Sequence, residues 1–130
     1  MNYIHVIAKM KKSSSPKVKE KTKYYIQSDC VSEDDVLNEI LIPYASGASK
    51  IMIEGAFVSA NDIEQISIFE SSEDSKALYQ KESVESDARA SRLASEGVFS
   101  TFVGTTVHSA ILRHAQDITS NMLREAIKRQ

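Results

Sequence analysis

Residues 3–10 read YIHVIAKM, and this short run constrains the fold more than any other. Ile4, Val6, Ala8 and Met10 alternate with Tyr3, His5, Ile7 and Lys9, the period-two pattern of a half-buried strand. Lys21 to Gln27 alternates again, with Thr22, Tyr24 and Ile26 opposite Lys21, Lys23, Tyr25 and Gln27. Between them KKSSSPKVK loses the pattern and contains Pro16, which reads as a turn. Two strands joined this way predict a hairpin, and a hairpin needs a further layer to bury its apolar face.

That layer is predicted next. Ser32 before Glu33, Asp34 and Asp35 is a helix start, because the hydroxyl can accept an orphan backbone N–H and the acids meet the positive end of the helix dipole. Val36, Leu37, Ile40 and Leu41 give the helix one apolar stripe. Pro43 is expected to end it by pushing Ile42 out of helical geometry. Two further strands follow, KIMIEG burying Ile51 and Ile53, and EQISIFE burying Ile66 and Ile68, with Ala60-Asn61-Asp62 as turn chemistry. The order predicts an α+β fold: a β-grasp-like four-stranded sheet with one covering helix over residues 1–70, followed by C-terminal helices over 71–130 that pack on it as one compact domain.

Ser46-Gly47-Ala48-Ser49-Lys50 has the composition of a phosphate cradle. Its position argues against one, because the helix precedes the loop and an anion would face a helix C-terminus and its partial negative charge. It is expected to be a connector. Within 71–97 the best apolar stripe, Ala77, Lys81, Val84, Ala88 and Ser91, buries little, so that helix is expected to be largely solvated or partner-supported. GVFSTFVG reads as a short strand or extended segment. From Thr105 onward Val107, Ile111, Ala115, Ile118 and Met122 recur at helical spacing, with a possible break at Asp117–Ser120, where Thr119 or Ser120 could cap a last helix.

The chain of 130 residues suits one modest core, and its 42% hydrophobic and 26% charged content excludes disordered and fibrous classes. No apolar run approaches the roughly 20 residues of a membrane span. The N-terminus lacks the basic-then-apolar order of a secretory signal and Cys30 is the single cysteine, so a cytoplasmic location and no membrane association are expected. Charge is polarised: residues 1–30 hold seven lysines against two acids, residues 31–87 thirteen acids against three lysines, and the remainder is net +3. Such polarity suits self-association or an oppositely charged partner.

Candidate chemistry is sparse. His108 and His114 lie about 240° apart around a helix and share no face, so no metal site is expected, and His5, His108 and His114 read as structural imidazoles. Cys30 sits before a helix start, where a thiol can be activated, yet no base is near it in sequence. Lys11, Lys12, Lys17, Lys19, Lys21 and Lys23 with Tyr24 and Tyr25 could hold a polyanion, the binding positions being Lys17, Lys19, Lys21, Lys23 and Tyr25; the competing reading is a solvated hairpin whose lysines protect an edge strand. Val107, Ile111, Ile118 and Met122 are the candidate oligomer interface. No cofactor is implied.

The run DVLNEILIPYASGASKIMIEGAFVSANDIEQISIFES resembles the N-terminal domain that precedes TIR-like nucleotide-binding domains in some bacterial defence proteins. The shared features are a leading helix closing on PY, a strand ending in Gly, and NDIEQISIFES with its acid-Ile pair; HAQDITSNML, His114 to Leu123, is similar to that family's Asp-hydrophobic-Thr element. The resemblance covers about residues 2–70 plus this patch. It implies an accessory or sensing domain of an anti-phage effector, lacking the catalytic TIR domain and its glutamate, as an excised domain or a free-standing relative. The expected function is therefore a non-catalytic interaction or sensing module of a bacterial defence system, with a protein partner (effector or toxin) and possible homo-oligomerisation. Two alternatives stand beside it: a free-standing immunity protein that neutralises a toxin, and a small enzyme acting on nucleic acid or nucleotide.

Overall fold

β1 (Tyr3–Met10) is buried at five consecutive residues, Ile4 to Ala8, so it is covered on both faces rather than the one its alternation predicts. The computed structural model describes residues 2–11, 23–95 and 105–129. In it β1 lies between β2 (Tyr24–Cys30) and β5 (Ile63–Ser71), antiparallel to both, and a two-residue strand β6 (Gln116–Asp117) extends β5. The class is α+β, with a four-stranded antiparallel sheet in the order β2-β1-β5-β6.

Membership of that sheet differs from the expected one in an instructive way. β3 (Lys50–Ile53) pairs only with β4 (Ala56–Ser59), forming a separate two-stranded hairpin. Its turn is Glu54-Gly55, with φ of 56° and 74°, the left-handed pair that a two-residue hairpin loop requires. Glutamate is an uncommon residue at such a backbone, which is why AFVS does not announce itself as a returning strand. Ile51, Ile53 and Val58 face inward and are buried.

One face of the sheet carries the larger core. Ile4, Val6, Ala8, Ile66 and Ile68 meet Val36, Leu37, Ile40 and Leu41 of the covering helix, the inner face of the hairpin, and Met122 and Ala126. The opposite face buries Ile7 and Phe69 against Leu78, Ala110 and Ile111. The elements responsible are α3 (Ser75–Ser95), α4 (Val107–His114) and α5 (Thr119–Lys128). α3 and α4 pack together on the second face while α5 packs with the covering helix on the first. GVFSTFVG lies outside the described residues.

The covering helix does not stop before Pro43. It runs as α1 (Glu33–Val36), a π turn at Leu37–Leu41, and α2 (Ile42–Ala45), with Pro43 in the first turn of α2. A proline ring inside a regular helix collides with the carbonyl four residues earlier. Here the Ile42 N–H reaches back five residues to the Leu37 carbonyl, and this widened turn just ahead of the ring gives the helix a path past it. Its start is as expected, the Ser32 hydroxyl accepting the Asp35 N–H at 3.3 Å. The end explains SGASK: Gly47 has φ +83° and the Ala48 N–H donates to the Pro43 carbonyl at 2.9 Å, a glycine-terminated helix cap. The segment is a connector whose lone special residue satisfies helix carbonyls.

The C-terminal break at Asp117 is held by Thr119, although not as a helix cap. Its hydroxyl accepts the Ile68 N–H at 2.8 Å and lies 3.3 Å from the Ile68 carbonyl, which also accepts the Ile118 N–H. The Asp117 carboxylate instead accepts the Thr119 N–H at 2.9 Å. Thr119 thus finishes the edge of β5 where β6 is too short to do so. Thr119→Val keeps the shape but leaves the Ile68 N–H without this acceptor; a loss of about 1–3 kcal/mol is expected, measured as a lower urea midpoint with unchanged slope, while Thr119→Ser retains most of the stability.

Candidate functional site

Three groupings of side chains bear on function. The first lies at the β1–β2 bulge, where Ser28 and Asp29 together oppose His5. Asp29 adopts φ 62°, a left-handed conformation that aspartate tolerates better than most residues. The geometry directs its N–H to His5 Nδ1 at 3.4 Å and its carboxylate to the N–H and hydroxyl of Ser75 at 2.7 and 2.8 Å. His5, fully buried, reaches the Ser71 hydroxyl through Nε2 at 2.8 Å, and Ser71 donates to the Glu73 carbonyl at 2.5 Å.

Acid, imidazole and hydroxyl are the ingredients of a hydrolase triad, yet the protons run the other way. An Nδ1 that accepts from a backbone N–H leaves Nε2 as the ring donor, so Nε2 has no lone pair with which to take the serine proton. Ser71, mostly buried, already commits that proton to Glu73. The arrangement is a satisfied relay that ties β1 and β5 to the start of α3. Burial lowers the His5 pKa below its ordinary value, against the opposing pull of Asp29 and Asp74.

The second grouping lies between α3 and α4. Glu82 is almost fully buried; its Oε1 accepts from Arg89 Nη2 at 2.6 Å and is ion-paired with Arg113, whose Nε lies 3.4 Å away, while Oε2 faces His114 Nε2 at 2.9 Å. Glu85 Oε2 lies 3.5 Å from the same imidazole nitrogen. Desolvation pushes the Glu82 pKa up, but its bonds to Arg89 and His114 and the two guanidinium charges outweigh this and hold it below the usual range. The inward stripe of α3 is therefore Leu78, Glu82, Ser86 and Arg89. Lys81, Val84, Ala88 and Ser91, of the apolar stripe expected to bury little, are indeed exposed. An apolar-periodicity search cannot find a seam made of ion pairs; the available signal was Glu82 and Arg89, seven residues apart and so on one helix face.

The third grouping is the outer face of the β3–β4 hairpin. Met52 and Phe57 are directly opposed across the strands and are 49% and 71% exposed. A recess of about 650 Å³ at Met52 is lined also by Gln27, Glu39, Glu54 and Gly55. A neighbouring one of about 320 Å³ shares Gln27 and Glu39 and adds Val31 and Asp35.

The sequence-derived positions distribute as follows. Lys17, Lys19 and Lys21 lie outside the described residues. Lys23 sits over the Tyr25 ring at 4.9 Å, a cation–π contact. Ile111 and Met122 are buried in the chain's own two cores and Ile118 packs against one of them, so the stripe expected to form an oligomer interface is used in intrachain packing, and of its four members only Val107 is exposed. His108 stacks on Tyr24 with ring centroids 4.2 Å apart, away from His114 and its carboxylates. Cys30 is half-buried, and burial raises its thiol pKa, aided by the nearby Asp29, Glu39 and Asp35 charges and opposed by the Gln27 contact; the helix start does not activate it. No helix among the described residues is long and apolar enough to cross a membrane.

No protein-family model matches the chain, and no curated protein and no solved structure matches it.

A histidine held neutral gives a signed pH dependence. The unfolded chain takes up a proton on His5 near pH 6.5, whereas the folded chain resists it, so the contribution is complete above that value and is lost as pH falls through the lowered folded pKa. The urea midpoint of the native protein is expected to fall as pH drops below about 6.5. His108, also lowered by burial, adds in the same sense, and the slope is expected to flatten partly in His108→Gln and further in the double variant with His5→Gln.

Proposed function

We propose that the chain is a non-catalytic interaction module that binds a basic protein partner through the outer face of the β3–β4 hairpin. The observation that carries this reading is the opposed pair Met52 and Phe57, two large apolar side chains left exposed in register on one face of a small hairpin. A strand pair that already buries Ile51, Ile53 and Val58 on its inner face gains nothing from apolar residues outside. Met52 shares its recess with Glu39 and Glu54, and Asp35 lines the neighbouring one; an apolar centre with a charged rim is the anatomy of a binding patch. The rim's sign follows the acidic excess of residues 31–87 and suits lysines and arginines on the partner.

The resemblance to the accessory domain of TIR-associated defence proteins supplies the setting: a sensing or positioning role in a bacterial defence system, or neutralisation of a basic toxin by a free-standing chain. Self-association belongs to the same proposal only if it uses this face. The nucleic-acid reading rests on the lysines of residues 11–23; among the described ones Lys23 lies over the Tyr25 ring, and no feature of the described residues favours that reading over the hairpin face.

The test is pairwise co-purification with the products of the adjacent reading frames, with native mass by light scattering run in parallel. One neighbour is expected to be retained, less strongly at high salt, and Phe57→Ser is expected to weaken retention by tenfold or more, about the effect of losing a central aromatic anchor. Retention of no neighbour, or equal retention by Phe57→Ser, overturns the proposal.

A further inference from the structure

The seam between α3 and α4 joins three groups that metals favour, and it lies apart from the hairpin face. Glu82 and Glu85 are three residues apart on α3, so both carboxylates reach the same side of the helix. His114, in the last turn of α4, brings its imidazole between them. Their ligand atoms lie within 4.8 Å of one another, with His114 Nε2 at 2.9 Å from Glu82 Oε2 and 3.5 Å from Glu85 Oε2. Ligands bonded to zinc at about 2.0–2.1 Å in tetrahedral array are roughly 3.3 Å apart. Two of the three required edges are thus close to their bound lengths.

We infer that Glu82, Glu85 and His114 form a binding site for a divalent transition-metal ion of the zinc class, with solvent as the fourth ligand. Three features make the site more than a chance approach of charges. Arg89 and Arg113 both engage Oε1 of Glu82, which fixes Oε2 toward His114, as outer-shell partners fix metal ligands. Glu85 is 48% exposed while Glu82 and His114 are largely shielded, so one ligand is held rigidly by the fold and another stands at the entrance. The imidazole selects against magnesium and calcium, which prefer oxygen alone.

Binding needs the Nε2 lone pair. The ring therefore carries its proton on Nδ1 in the metal-bound state, and an imidazolium would release one proton per ion bound. The two arginines neutralise much of the carboxylate charge and repel a dication, which sets the affinity below that of a four-ligand structural site. A bound ion would cross-link α3 to α4, where Leu78 is the one fully buried apolar side chain of α3 among the described residues.

The test is titration of the whole chain with zinc chloride, followed by calorimetry and by thermal unfolding. Saturable binding of one ion per chain with a raised Tm is expected. Glu85→Gln, at an exposed position, and His114→Gln are each expected to lose about 10–100-fold in affinity. His108→Gln and Cys30→Ser are expected to bind as the native chain does. Glu82→Gln is unsuitable, because it removes the charge with which Arg89 and Arg113 pair. Absence of saturable binding, undiminished binding by His114→Gln or Glu85→Gln, or loss of binding in Cys30→Ser would each overturn the inference.

Discussion

Two-sided burial of β1 is the constraint on which the rest of the structure depends. A strand whose residues Ile4 to Ala8 are all removed from water must have both backbone edges paired and both faces covered. β2 and β5 satisfy the edges. The covering helix with α5 and the hairpin takes one face, and the α3–α4 pair takes the other. Because the two cores share only the sheet, the chain has to return to it from opposite sides, and this is why its helices fall into two groups.

The cost of that arrangement appears at His5. It stands in the middle of the most buried strand, pointing into the smaller core, and a polar ring there must have both nitrogens satisfied. The bulge at Ser28–Asp29, the left-handed backbone of Asp29 and the hydroxyl of Ser71 all serve this requirement. The same carboxylate then receives the first N–H of α3. A local solution for one imidazole is thereby also the device that anchors a helix of 21 residues, one with few apolar side chains of its own to hold it.

What could be read from the sequence follows what kind of energy holds each part. The first strands and the Val36–Leu41 stripe are held by apolar burial, whose period shows in the residues. Their cluster with Ile51 and Ile66 is found as expected. Pairing partners were harder, because Ile51 and Ile53 are equally apolar whether they join the main sheet or a hairpin packed on it. The π turn at Leu37–Leu41, ahead of Pro43, was hidden by a rule that treats proline as a stop. The Glu82 seam was hidden for a deeper reason: its cohesion is electrostatic and arises between helices, so neither hydrophobic period nor neighbouring motifs reports it. Ile111 and Met122 show the converse: the apolar stripe is legible, but periodicity alone does not separate core packing from an oligomer interface, and both residues are buried in the chain's own cores.

The Glu54-Gly55 turn fixes more than the direction of a loop. Because successive residues of a strand point to opposite sides, the pairing of Ile51 with Val58 and of Met52 with Phe57 decides which side chain is turned toward solvent. A slip of β4 by one residue against β3 would exchange its two faces, presenting valine outward and forcing the phenyl ring into a space shaped for an isopropyl group. By holding the tight two-residue connection, the left-handed pair at the tip keeps the register in which the large ring stays outside.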